Sequence, residues 1–253
     1  MYKPYLIHLE DLSVEKQTGV VKEASFFSGA LNEDLTVLTY LPKSYSPLYK
    51  YSLLIAQDGQ DYFRLGRIAR QYESLLENGG LENVIIVGIP YKNVQDRRAK
   101  YHPDGEKFPA YKRFLAHELV PFLDREFPTY QVGQGRALIG DSLAATVGFM
   151  TALDYPSIFG KIIMQSPYVD EKVLNAVMQY DAEPNLTIYH QIGEKETDVK
   201  TTAGEVQNFI EPNRKLQKAI EKKGFPYTYE EFDGDHTWTH WQPLLPKALK
   251  AMF

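Results

Sequence analysis

Short continuous apolar runs, alternating with stretches of helical spacing, constrain this chain more than any other feature. Residues 51–56 (Tyr-Ser-Leu-Leu-Ile-Ala) and 84–89 (Val-Ile-Ile-Val-Gly-Ile) are too short for helices and have no polar face. Residues 136–140, 161–165 and 186–192 read the same way, and 227–232 alternates. Such runs are strands buried on both sides, as in a parallel sheet. Between them, 65–76, 110–127, 143–153, 170–180 and 205–223 carry helical spacing, and a last helix is predicted from Gln242 or Pro243 onward. Gly79-Gly80 gives a stop after the first helix, and Pro212 predicts a break or kink in the fifth. Residues 20–31 and 35–41, joined at Asn32-Glu33-Asp34, predict an antiparallel pair at the N-terminal end. The expectation is an α/β fold: a mostly parallel central sheet, helices on both faces, antiparallel N-terminal strands and no large cap. With 253 residues and no internal repeat, 1–253 is expected to be one domain.

Ligands collect at the carboxyl ends of the strands in such sheets. One of those turns reads Gly140-Asp141-Ser142-Leu143-Ala144-Ala145, between a strand and a helix of small residues. It is close to the G-x-S-x-G elbow, in which a tight, strained turn lifts a serine hydroxyl to the strand tip. The plainer alternative is a serine capping a helix. A serine nucleophile needs a base near neutral pH, most often histidine. Past Ser142 the chain has only His190, His236 and His240. His190 lies within a strand and is expected in the core. His236 sits in the turn after the last strand, where the base belongs when the order is Ser, acid, His. His240, at the start of the last helix, is expected to support it.

The acid is expected after the strand ending at Ile192, where Glu194, Glu196 and Asp198 compete. Glu196 is preferred for reach and Asp198 is the alternative. An oxyanion site needs two backbone N–H donors. Leu143 follows the nucleophile, and the turn Gln57-Asp58-Gly59-Gln60 offers the amide of Gly59 or Gln60. Arg97 or Arg98 could meet an acidic substrate, with Arg98 the candidate binding residue, although a structural ion pair is the commoner fate of an arginine. Tyr91, Tyr101, Phe108, Trp238 and Trp241 could line an aromatic subsite.

Composition narrows the classes. Twenty-eight Lys and Arg against 33 Asp and Glu leave a net charge of −5, which argues against a nucleic-acid partner. No cysteine means no disulfide, no thiolate metal site and no cysteine nucleophile. The first sixteen residues lack a signal-peptide pattern, and no stretch approaches the ~18 apolar residues of a membrane helix. A soluble, cytoplasmic chain is expected, with no membrane partner.

Four segments together resemble the putative-esterase family of α/β-hydrolases, which includes enterochelin esterases, esterase D-type enzymes and feruloyl esterases. Asp58-Gly59-Gln60 is similar to its D-G-x turn, and 97–103 (Arg-Arg-Ala-Lys-Tyr-His-Pro) to its R-x-x-x-Y-x-P segment. Residues 140–145 resemble its G-x-S-x-G-G elbow, and Gly234-Asp235-His236 with Trp241 its G-G-H followed by a Trp. Ala144, Ala145 and Asp235 depart from those patterns. The resemblance implies an α/β-hydrolase fold, Ser142 as nucleophile, His236 as base, an acid near Glu196, a small-molecule ester as substrate and no metal or organic cofactor. Thioester, amide or carbohydrate-ester cleavage by the same residues, or a binding module without catalysis, are the alternatives.

Overall fold

A computed structural model describes residues 19–202 and 204–253. The targeting expectation for the first sixteen residues lies outside them. Strands β1 (Val20–Ser28) and β2 (Glu33–Leu41) form the expected antiparallel pair. The remaining sheet strands are β3 (Ser52–Gln57), β4 (Val84–Ile89), β5 (Arg136–Asp141), β6 (Lys161–Gln165), β7 (Thr187–Gly193) and, after a small hairpin, β10 (Tyr227–Phe232). The eight strands are ordered β1-β2-β4-β3-β5-β6-β7-β10. From β4 to β10 every pairing is parallel, and β2 alone runs against its neighbours.

The apolar runs are divided between two faces by the period-2 alternation of strand side chains. Leu53, Ile55, Ile85, Val87, Leu138 and Ile162 enter one core; Leu54, Ala56, Val84, Ile86, Ala137 and Ile139 enter the other. The second face is covered by α1 (Gly59–Arg64), α2 (Ile68–Glu77) and α9 (Trp238–Met252), through Tyr62, Ile68, Tyr72, Leu245 and Leu249. The first face takes α3 (Val94–Tyr101), α4 (Phe108–Arg113), α5 (Val120–Glu126), α6 (Leu143–Asp154), α7 (Glu171–Met178) and α8 (Ile210–Lys223). Removing each such Leu, Ile, Val or Phe from water contributes roughly 1.5–3 kcal/mol, so the strands are fixed by burial on both sides.

Three boundaries differ from the sequence expectation. Helix α8 begins at Ile210, not at 205, and Pro212 lies in its first turn. The missing N–H is harmless there, because first-turn amides have no intrahelical acceptor, so no kink follows. Residues 199–207 instead form a hairpin, β8 (Val199–Lys200) against β9 (Val206–Gln207). Helix α9 starts at Trp238, several residues early, and continues through Pro243 and Pro246 because Trp241, Leu245, Leu249 and Met252 pin it to the core. Segment 97–103, the R-x-x-x-Y-x-P stretch, is mostly α3, capped by the Asn93 side chain on the Asp96 amide. Among the described residues no helix is long and apolar enough to cross a membrane.

Candidate active site

Ser142 joins β5 to α6 with φ 53° and ψ −127°, a backbone state that a non-glycine residue adopts only under constraint. The constraint is visible. The Ser142 amide donates to the Gln165 carbonyl on β6 (2.9 Å), and its own carbonyl accepts from the Thr146 and Tyr168 amides. The Ser142 side chain makes no cap hydrogen bond to α6, so the helix-capping alternative does not describe it. A Cβ on Gly140 would lie 2.3–2.5 Å from the backbone of Ala144 and Ala145, so this glycine is required by the turn. Ala144 carries its methyl group fully buried, so the elbow accommodates alanine in place of the second motif glycine. The Leu143 amide stands at the start of α6, where N–H groups lack intrahelical partners and the helix dipole favours negative charge.

His236 comes from the turn after β10. Its Nδ1 lies 2.6 Å from Glu196 Oε2, forty positions away in the chain. The Glu196 side chain is fully buried, and its other oxygen accepts from Ser166 Oγ (2.6 Å) and the Gly193 amide (2.9 Å). Trp241 Nε1 donates to the same Ser166 Oγ at 3.0 Å, which commits the serine's proton to Glu196. The imidazole is flanked by Phe209 and Trp241, with ring centroids 4.5 and 4.8 Å away. Because a carboxylate only accepts, Nδ1 carries the proton and Nε2 is left as the acceptor. Glu194 and Asp198 are exposed; Asp198 bonds its neighbour Thr197. Of the three competing acids, the fold therefore brings Glu196 to the imidazole.

The other histidines have different surroundings. His190 is fully buried between Tyr227 and Asn213, and desolvation lowers its pKa to about 4. His240 Nδ1 lies 2.7 Å from Asp235 Oδ1, which also accepts from Thr237 Oγ1. Asp235, the departure from G-G-H, thus ties the His236 turn to α9. Gly234 is needed because a Cβ would meet the His240 ring at 2.6 Å.

Arg97, which lines the same pocket as Ser142, grips Asp58 through Nε (2.7 Å) and Nη2 (2.6 Å) and is largely out of solvent. Arg97 is thereby the structural ion pair. Continuing the β3–β5 register places Asp58 opposite Asp141. Burial pushes the Asp141 carboxyl well up, and the Asp58 charge adds to that. Burial also raises Asp58, with Arg97 acting in the opposite direction. Gly59 is explained by packing, since a Cβ would lie 2.4 Å from the backbone of Gly88 and Ile89.

Ser142, Leu143 and His236 line one pocket with Arg98, His102, Tyr168 and Phe209. The hairpin contributes Val199, Lys200, Thr201 and Gln207 to its rim. Gly59 and Gln60, in the turn after β3, are not among the residues that line it. The expected tryptophans do not line it either. Trp241 is buried behind His236, and Trp238 packs edge-on against Tyr62 in the second core. Tyr91 and Tyr101 are spent on Asp61 and Asp58, and Phe108 is core. The aromatic walls are Tyr168 and Phe209. Tyr168 follows β6, one of the strand-end turns that the topology flags; the hairpin had a signal in β-branched residues flanking Gly204.

His102, Asp104 and Asp170 bring potential metal-ligating atoms within 4.8 Å of one another. Each already has a partner: Asp104 pairs with Lys172, Asp170 caps α7 on the Val173 amide, and His102 Nδ1 accepts from the Asp104 amide. Burial lowers the His102 pKa, with Arg98 adding to the effect.

Comparisons with known proteins agree with this architecture. The family described as "Putative esterase" matches residues 28–252. An uncharacterized protein, YjcH of Bacillus subtilis (strain 168), is 63% identical over 236 residues, covering 93% of this chain and 98% of its own. The acetyl esterase of Caldicellulosiruptor saccharolyticus is 21% identical over 264 residues, 92% of this chain and 97% of its own. A ferulic acid esterase structure superposes with a TM-score of 0.75 at 17% identity, over 93% of this chain and 97% of that one. The enterobactin esterase FES from Shigella flexneri gives 0.78 at 17% identity, over 92% of this chain but 58% of its own. These likenesses bear out the α/β-hydrolase fold.

Proposed function

The chain belongs to the putative esterase family, and from that premise we propose that it hydrolyses carboxylic esters through a covalent acyl-enzyme. Ser142 is the nucleophile, His236 the general base and then general acid, and Glu196 the group that fixes the imidazole. One observation carries this reading: the Glu196–His236 contact of 2.6 Å stands at the same pocket as a serine held in a strained elbow.

His236 Nε2 takes the Ser142 proton as Oγ attacks the ester carbonyl. The carbonyl π electrons move to oxygen, where the Leu143 amide and the α6 dipole stabilise the negative charge. An amide of Gly59 or Gln60, in the turn after β3, the strand paired with β5, is the proposed second donor. Glu196 stabilises the imidazolium without itself taking the proton. Collapse of the intermediate breaks the bond to the alcohol oxygen, which receives the proton from Nε2. Water then enters, loses its proton to His236 and releases the acid, restoring Ser142.

The test is 4-nitrophenyl acetate hydrolysis by wild type, Ser142→Ala and His236→Ala, with fluorophosphonate labelling of each. Wild-type turnover and labelling are expected, with both lost in Ser142→Ala. A folded wild type that neither turns over esters nor reacts with the probe would instead indicate a binding module.

A further inference from the structure

We propose that the substrate ester carries an anionic group, a carboxylate or its equivalent, and that Arg98 is the residue that selects it. This rests on the ester-hydrolase reading above and specifies its substrate class.

The argument is one of charge accounting around α3. Arg97 is buried on Asp58. Lys100 and Lys107 are held by Glu33 and Asp96, and Lys92 by Glu33. Lys172, on α7, is held by Asp104. Among the described residues, Arg98 is the cation of this region with no carboxylate partner, and it is exposed on the pocket wall that Ser142 and His236 share. Lys200, on the rim hairpin, likewise forms no ion pair among the described residues and lines the same pocket. Among the described residues, the sole carboxylate in the lining is Glu205, which accepts from Gln207 Nε2. With Arg97 neutralised by Asp58, the lining keeps Arg98 and Lys200 against Glu205, a positive surplus in a chain whose net charge is −5.

A neutral ester would gain nothing from that arrangement. A carboxylate would, because a guanidinium presents paired N–H donors that match two carboxylate oxygens. Arg98 also sits near the rings of His102 and Tyr168, whose centroids are 5.1 Å apart. Tyr168 and Phe209 give the pocket that Arg98 and Ser142 share apolar walls. The ligand chemistry that fits is an alkyl or aryl body, with the scissile ester toward Ser142 and the anion toward Arg98. Charge in such a cleft also steers encounter.

Two matched pairs separate an anion on the acyl side from one on the alcohol side. The first is 4-nitrophenyl hydrogen adipate against 4-nitrophenyl hexanoate; the second is 3-acetoxybenzoate against 3-acetoxybenzamide. The readout is the ratio of kcat/KM, anionic over neutral, in wild type, Arg98→Gln and Arg98→Lys, with the remote Lys250→Gln as charge control. Wild type is expected to favour the anionic member of at least one pair. Arg98→Gln should lower that ratio about tenfold, the size expected for one charge-assisted contact. Arg98→Lys should recover part of it, Lys250→Gln should leave it unchanged, and salt should compress it. A ratio unmoved by Arg98→Gln, or a wild-type preference for both neutral members, overturns the inference while Ser142-dependent turnover leaves the esterase reading intact. A second measurement is independent of turnover: calorimetric binding of 3-hydroxybenzoate and adipate to Ser142→Ala, with and without Arg98→Gln. At least one is expected to bind, more weakly when Arg98 is replaced; no binding, or equal binding, counts against the inference even if the esterase reading has failed.

Discussion

Replacing Glu196 by glutamine changes one heavy atom and tests the mechanism at its least exposed point. Three donors converge on the carboxylate: His236 Nδ1, Ser166 Oγ and the Gly193 amide. A glutamine has one acceptor oxygen to offer them. Turned toward Ser166 and Gly193, that oxygen keeps two of the three bonds. The opposite orientation sets the amide N–H against both of those donors, and each buried group left unsatisfied costs about 1–3 kcal/mol. The first orientation therefore wins, and the amide nitrogen faces His236. Nδ1 must then accept, so the imidazole proton moves to Nε2, the atom that has to receive the Ser142 proton. The equivalent carboxylate-to-amide change in serine proteases lowers kcat about 10⁴-fold, or about 5.5 kcal/mol of barrier. Stability should change little, by about 1–2 kcal/mol, because two bonds survive; in a chain of this size that is roughly 2–8 °C in Tm. The assay is kcat on 4-nitrophenyl acetate for Glu196→Gln beside Glu194→Gln and Asp198→Asn, with Tm for each. Glu196→Gln retaining more than about a tenth of wild-type kcat, or Asp198→Asn losing as much, would refute the assignment of the acid, given the scale of the tautomer effect.

Gly140→Ala should lower kcat/KM by about 10² or more, since the added methyl group would displace the elbow backbone and small misplacements at a reacting centre cost that much; Ala144→Gly should stay within severalfold, and the reverse order of effects would refute the packing argument. Acid should destabilise the fold through His190, whose pKa is lowered from 6.5 to about 4. Between those values the unfolded chain binds a proton that the native one refuses, so stability falls as pH drops from 6.5 to 4, by about 3 kcal/mol. Urea midpoints measured across that range for wild type and His190→Gln check this; equal acid sensitivity in both would contradict it.

Most of the sheet was legible because its signals are local. A five- or six-residue apolar run between turn residues has few alternatives to a buried strand, and Ser142 and His236 stand out because they occupy strand-end turns. Helix boundaries were less legible. Pro212 reads as an interruption until the start of α8 is known, since the same residue is costly inside a helix and neutral in its first turn.

The sequence by itself determined the parallel sheet, the elbow with its required Gly140 and the strand end from which a histidine would come, because each depends on neighbours a few residues away. Tertiary structure alone decided which acid meets that histidine, which arginine is buried, and which aromatic rings face the pocket. Glu194, Glu196 and Asp198 are nearly equivalent as a string; burial against Gly193, Ser166 and Trp241, brought together from two strand ends and α9, separates them. Arg97 and Arg98 are adjacent and chemically identical. Both line the pocket, but one step along α3 buries the first on Asp58 and leaves the second exposed without a carboxylate partner among the described residues, and only the packing of that helix on the sheet says which is which.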